Sequence, residues 1–359
     1  MKMFPIILET DTRFREVIAQ IEDYFSMIWT DRYYTPGDFE ICVPATPRNI
    51  SVIKKGYIVG RVTERGLDTS YGIIEYVEKN IDEDGRCRII ARGRFTGAYL
   101  YRRVIYGQII INYGTLKTAI DALLSMNVTS PSQSYRKMTG IMMSDSSISG
   151  PSIANMQFTG QNLGEQISEL CERYKVGWRM EGSGAPAELV LYEGLDRTVG
   201  QRVNKWAVFS DEDGSLLSLN YSENDTDKVN AVRIAGEGEG AARKMLWCEV
   251  DSEDPAEGFS RYEVFVDARD LSTDEGQVST ADYNEMLENR AAESFTDTEY
   301  VLEATASFNS LKYKEDVDLG DLCTIKSKAL GIEVDARLVE VIESIDEAGR
   351  YSAVPTFSI

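Results

Sequence analysis

The 359-residue chain contains no histidine. That removes the side chain best suited to proton transfer near neutral pH, and with it the commonest transition-metal ligand. Average usage would supply about seven or eight at this length. Chance composition explains the lack as well as function does, but most hydrolase triads and zinc enzymes are excluded either way. Cysteine is scarce and unpaired in pattern: Cys42, Cys87, Cys171, Cys248 and Cys323 are scattered, odd in number and form no C-x-x-C. No disulfide framework or zinc site follows from that spacing. Each reads as a small buried apolar residue, folded in a reducing compartment. Positive charge is also short, with 38 Lys and Arg against 59 Asp and Glu and a formal net charge of −21. Specific nucleic-acid binding and an anionic membrane partner are both disfavoured by that balance, because phosphate recognition needs clustered cations. Long apolar runs are missing. No window approaches the ~20 residues of a membrane-spanning helix, and the opening stretch Met1–Glu9 is too short for a signal peptide. The expectation is a soluble chain without a cleavable export signal and without membrane insertion of its own.

What is present points to a large, mainly β protein. Hydrophobic residues make up 43% and aromatics 10%, enough for extensive cores. At about 150 residues per domain, two or three domains are expected, or more if they are small. Residues 1–105 read mostly as β. Gly72–Val77 and Arg86–Ala91 flank Asp82-Glu83-Asp84-Gly85, a strong hairpin signal. The stretch Arg15–Phe25 fits either period and is assigned to a strand because its neighbours are strands. Residues 106–195 are α+β. Thr115 precedes a helix-spaced stripe of Leu116, Ile120, Leu123 and Leu124. Met126–Ser152 reads as loop. A second helix carries Leu163, Ile167, Leu170, Cys171 and Tyr174 on one face, with Gly177 past its end. A hairpin then runs from Trp178–Met180 to Glu188–Tyr192 around Gly182-Ser183-Gly184. Residues 196–270 return to β, clearest at Leu216–Tyr221 and Val229–Ile234. In 271–299 a polar stretch leads to a helix started by Ser279 and faced by Tyr283, Met286, Leu287, Ala291 and Phe295. Residues 300–359 are β again. No repeat of 20–50 residues stands out. The order β, α+β, β, helix, β argues for several small β-rich units and against a parallel α/β sheet.

Four motifs invite chemistry, and each has a plainer explanation. Gly236-Glu237-Gly238-Glu239-Gly240-Ala241 partly fits G-x-G-x-x-G/A. Its two glutamates would repel a phosphate, and Met245–Val250 after it reads as strand where a nucleotide site needs a helix. Asp82–Gly85 and Asp211–Gly214 resemble calcium loops. An EF-hand beginning at Asn80 would put Ala91 at the twelfth position, and one beginning at Phe209 would put Asn220 there, where a bidentate Glu is required. Both are expected to be turns. Ser134-Tyr135-Arg136-Lys137 matches S-x-x-K without its companion elements. Asp316, Asp318 and Asp321 are the most clustered acids that could serve a glycosidase, but they sit where a hairpin turn needs acids. Trp29, Trp178, Trp206 and Trp247 are dispersed and read as core or interface residues. No catalytic, cofactor-binding or metal-binding residue is assigned, and no cofactor is expected.

The motif Asp316, Asp318-Leu319-Gly320-Asp321, with Gly331-Ile332 and Arg337 beyond it, echoes an opening pattern S-x-x-W-x-x-R-Y-x-x-x-G-D-F-E over Ser26–Glu40. Between them lie the Ile73–Gly93 hairpin with Arg102-Arg103, and the N-x-V-x-x-x-G strand within Asp227–Gly238. Pro355-Thr356-Phe357 closes the series. In order and spacing the chain resembles the tail-tip baseplate hub, or tail-associated, family of long-tailed bacteriophages, over nearly its whole length. The resemblance implies two small β-barrel tube domains plus two α+β accessory domains. It places barrel one in 1–105 with return strands after about 200. Barrel two takes about 241–270 and 300–359, with the helix of 279–298 inserted. It further implies a homotrimer whose six barrels meet a hexameric distal-tail or tail-tube ring. A spike or fibre lies on the far side, in the virion tail tip, after folding in the host cytoplasm. An acidic lumen would let DNA pass without sticking. The chain stops at Ile359, just after the hub portion, so receptor binding or wall cleavage would fall to other chains. Two other classes remain open on the residues alone: a glycan-degrading tail enzyme using Asp and Glu carboxylates, and a carbohydrate-binding receptor module.

Overall fold

A computed structural model describes residues 4–8, 17–81, 83, 85–182, 187–273, 277–308 and 311–359. Asp82, Asp84 and the turn residues Ser183 and Gly184 lie outside the described residues. The protein is mainly β, with α+β units. Its centre is an eight-stranded sheet in the order Val208–Ser210, Leu322–Ser327, Ile332–Ile345, Ser26–Arg32, Asp38–Pro44, Cys87–Arg94, Tyr76–Ile81, with Tyr351–Ser358 paired on Ile332–Ile345. Early strands (Ser26–Arg32, Asp38–Pro44) and late ones (Ile332–Ile345, Tyr351–Ser358) therefore share one sheet.

The 14-residue strand Ile332–Ile345 joins two β lobes. Its first half pairs with Leu322–Ser327, and its second half pairs with Ser26–Arg32. A register shift between Leu338 and Glu340 interrupts its pairing with Tyr351–Ser358. The shift changes which residues point inward: Ala336 and Leu338 are buried before it, Val341, Glu343 and Ile345 after it. A one-residue slip moves side chains to the opposite face; along the strand Ala336, Leu338 and Val341 pack in the second lobe's core and Ile345 in the first's.

In the first lobe, Trp29, Phe39, Ile41, Ile89, Ala91 and Ile345 face Ile7, Ala19 and Val59 of a five-stranded sheet. In the second, Phe209, Cys323, Ile325, Leu338 and Phe357 face Leu216, Leu302, Ala304 and Ala306. The latter belong to the antiparallel pair Leu216–Asn224 and Glu299–Ala306.

Two α+β units flank the lobes. In residues 106–195, the helices Leu116–Leu124 and Leu163–Arg173 pack on Gln108–Thr115 paired with Ser152–Thr159, and on a three-stranded sheet. Thr115 and Asn162 cap these helices through their side chains, satisfying amides that would otherwise lack partners. The stretch read as loop, Met126–Ser152, contains the strand Ile141–Met143, which pairs in parallel with Ala187–Leu189. It is too short to carry a legible period. The second unit pairs Ala231–Ala235 with Met245–Glu249 and Glu263–Asp267 and covers one face with the helix Thr280–Ala292. This corrects the expectation that 241–270 serves the second barrel. Val232, Ile234, Leu246, Cys248, Val264 and Val266 all face that helix, so their alternation reflects a helix cover and not a barrel interior. No helix among the described residues is long and apolar enough to cross a membrane.

Candidate functional site

The motif residues at opposite ends of the chain converge at one junction. Tyr33, from the opening motif, is fully buried, and its hydroxyl donates towards the carbonyls of Lys175 and Tyr192, both at 3.3 Å. Its ring lies against Gly177 and Gly320, where an added Cβ would come within 2.2 and 2.4 Å of it. Gly320 also has φ +89°, a conformation costly for any other residue. Both reasons for glycine at this position are therefore tertiary as well as local. Trp178 donates its backbone amide to Tyr33 O at 3.0 Å and its indole N–H to Tyr34 O at 2.6 Å. Arg337 donates to Gly320 O at 2.5 Å. The first lobe, the second lobe and the 106–195 unit are thus locked to one another through the residues whose spacing marked the family.

The three acids of the closing motif divide the work. Asp321, 2% exposed, accepts from Leu195 N at 2.7 Å, Asp318 N at 2.9 Å and Arg197 Nε at 2.6 Å. Asp316 pairs with Lys205 Nζ at 2.5 Å and accepts from Lys312 N; the Lys205 hydrogen bond holds its carboxyl below the usual range. Asp318 is exposed and caps Leu319 N at 2.8 Å. The structure uses these residues to build a turn and to fasten it to residues 195–205.

Beside this junction lies a second charged cluster that the sequence did not announce. Arg61 is 1% exposed. Its Nε lies 2.6 Å from Asp68, and its Nη2 lies 2.6 Å from Glu343 and 3.5 Å from Asp31. Lys314 Nζ reaches Asp31 at 3.0 Å and Asp68 at 3.4 Å. Tyr313 donates to Asp31 at 3.1 Å, and Tyr351 donates to Glu343 at 2.8 Å. Burial alone would raise the Asp68 carboxyl, but Lys314 and Arg61 hold it well below the usual carboxylate range. Burial and then Asp31 keep the Tyr313 hydroxyl well above its ordinary value, so it remains a donor. With Arg179 and Asp318, these groups apart from Tyr351 line a cavity of about 230 Å³. Three acids facing two cations, with Arg61 against all three and Lys314 against two, make a clamp between the lobes. Arg61 also lies over the Trp29 ring at 5.0 Å, which ties the clamp to the first lobe's core. No sequence signal marks Arg61 or Lys314, because neither belongs to a spaced motif; only the fold brings them to Asp31.

The other sequence candidates fall elsewhere. Gly236–Ala241 joins two antiparallel strands, and Glu237 is held by Thr273 Oγ1 at 2.9 Å and by the Tyr283 hydroxyl at its amide. Asp211–Gly214 is a turn in which Asp211 accepts from Ser327 Oγ, Lys328 N and Ala329 N. The Asp82–Gly85 stretch connects the antiparallel strands Tyr76–Ile81 and Cys87–Arg94. Ser134 and Lys137 are joined by a backbone turn and are both exposed. Trp29 and Trp178 are core residues, whereas Trp206 and Trp247 are about half exposed. Cys42, Cys171 and Cys323 are buried and Cys248 is half-buried, but Cys87 is exposed on its strand, against the expectation of burial.

The family model described as Siphovirus ReqiPepy6 Gp37-like protein matches residues 7–357. No curated protein sequence matches the chain. Among solved structures, the fold is similar to a tail protein from Neisseria meningitidis MC58, at 11% identity, 99% of this chain, 97% of that chain and a TM-score of 0.58. It is similar to the 43 kDa tail protein of prophage MuSo2 from Shewanella oneidensis, at 15% identity, 99% and 98% coverage and a TM-score of 0.59. It is also similar to the prophage tail protein gp18 from Listeria monocytogenes EGD-e, at 10% identity, 98% and 94% coverage and a TM-score of 0.53. At these identities the likeness is one of fold.

Proposed function

The chain belongs to the Siphovirus ReqiPepy6 Gp37-like protein family, and from that membership we propose that it is a non-enzymatic structural component of a phage or prophage tail tip, located in the virion tail. It assembles as a homotrimer. It docks on a hexameric distal-tail or tail-tube ring and carries a spike or fibre on the other side. The observation that carries this reading is the pair of β lobes welded by one continuous strand and by the Arg61 clamp. Three copies of a two-lobed subunit present six lobes, which can match a six-fold ring where a single lobe per copy could not. The excess of 59 acids over 38 bases favours a wall that DNA passes without binding.

The test is assembly. Light scattering and negative-stain imaging of the purified chain, alone and with its tail-ring partner, should show a three-copy ring with a central opening that stacks on the partner. A chain that stays a single copy in both preparations would refute the reading.

A further inference from the structure

One surface of this acidic protein is basic, and two of its three arginines have no carboxylate partner among the described residues. Arg102 ends the helical turn that starts at Thr96, Arg103 follows it, and Arg136 ends the turn Ser134–Arg136. With Tyr101, Val104, Tyr135 and Asn162 they line a shallow depression of about 480 Å³ that no acidic residue borders. Arg102 pairs with Glu75 at 3.1 Å. Among the described residues neither Arg103 nor Arg136 has a carboxylate partner. Arg103 donates to the carbonyls of Arg102 and Arg136, at 3.0 and 3.3 Å. Arg136 donates to Val104 O at 2.6 Å and Asn127 Oδ1 at 3.3 Å, while its Nη1 is buried without a hydrogen-bond partner. Burial, with Arg136 and Arg102 adding repulsion, lowers the Arg103 guanidinium from its ordinary value. Beside the arginines, Tyr135, Val104 and Tyr106 are exposed. Arg and Tyr at a desolvated apolar centre are the composition of an interaction surface.

The same chain carries the complement. The loop 250–260 connects Met245–Glu249 to Glu263–Asp267 and includes Val250, Asp251, Glu253, Asp254, Glu257 and Phe259. All six are exposed, and the stretch holds no Lys or Arg. Phe259 is entirely open to solvent.

We propose that the arginine patch of one copy receives the acidic loop 250–260 of the next copy. The proposal rests on the trimeric reading above and names the contact that closes the ring. A rotational trimer needs a heterologous interface, in which a patch meets a different patch on its neighbour. Basic and acidic surfaces of opposite sign, each with exposed apolar residues, satisfy that requirement. Nucleic acid is the weaker occupant, because the 59 acids of the chain would repel it from an isolated patch.

The test is charge reversal on the full chain, read by light scattering near 0.15 M salt, where screening acts beyond about 8 Å. R103E/R136E and E253R/D254R should each weaken trimer formation about tenfold or more, and the four-fold variant should restore it. Tyr135→Ser and Phe259→Ser, which leave charge alone, should weaken it to a lesser degree. Unchanged thermal melts separate assembly from folding. Trimers that survive both double reversals, or a four-fold variant that remains a single copy, overturn this contact and leave the trimeric reading standing. A wild-type chain that never associates overturns both.

Discussion

Replacing Arg61 with Met tests whether the clamp between the lobes is as strained by charge as its geometry says. The guanidinium is 1% exposed and meets Asp68 and Glu343 at 2.6 Å and Asp31 at 3.5 Å. Without it, three carboxylates share Lys314, whose side chain is 28% exposed and reaches only Asp31 and Asp68. Removing one partner of a buried ion pair costs about 3–5 kcal/mol, because the remaining charge is left unpaired. At about 2–4 °C per kcal/mol, the corresponding calorimetric transition should fall by roughly 6–20 °C. The effect should depend on pH with a definite sign. The folded Asp68 carboxyl is held below its unfolded value, so the wild type has its full contribution above about pH 4 and loses it on acidification. In Arg61→Met that carboxyl protonates more readily, which relieves the repulsion. The gap between wild type and variant should therefore narrow from pH 7 towards pH 4. A second change, Glu343→Gln, should recover part of the loss, since the two residues are in contact. A gap under about 1 kcal/mol, or one that is flat with pH, would refute the reasoning.

Two further outcomes follow from the closing motif. Asp321→Asn should lower stability by about 3–4 kcal/mol in calorimetry, because an amide cannot replace the 2.6 Å pairing with Arg197 while still accepting from Leu195 N and Asp318 N. A loss under about 1 kcal/mol would mean that the motif acid is not what fastens the lobe to residues 195–197. Asp318→Asn should stay within about 0.5 kcal/mol of wild type, since the residue is exposed and its cap on Leu319 N survives the change. Neither wild type nor this variant should release reducing ends from purified cell wall. Release by wild type that disappears in Asp318→Asn would overturn the non-enzymatic reading.

Local signals carried much of the architecture. Ser279 and Thr115 announced their helices because a cap and its apolar stripe lie within a few residues of each other. The acidic-Gly stretch 82–85 announced a hairpin because turn and strands are contiguous. Met245–Glu249 was correctly legible as strand, but its partner was not. Alternation shows that one face is buried and says nothing about what buries it, so the Thr280–Ala292 cover went unseen. The site shows the same division. Tyr33, Gly320 and Asp321 stood out by spacing, whereas Arg61, Lys314 and Glu343 looked like three of many surface charges in a chain with 97 charged residues (38 bases plus 59 acids).

By itself the sequence determined the β-rich class, the three longer helices (but not the short Pro47–Val52), the negative charge and the family, since these depend on residue type and near-neighbour order. Only the tertiary structure decided that Ser26–Arg32 shares a sheet with Ile332–Ile345, that this long strand serves two cores, and that distant charges meet around Arg61. The physical reason is that burial and pairing energies act between atoms close in space, and separations such as 282 residues between Asp31 and Tyr313 leave no periodic trace along the chain.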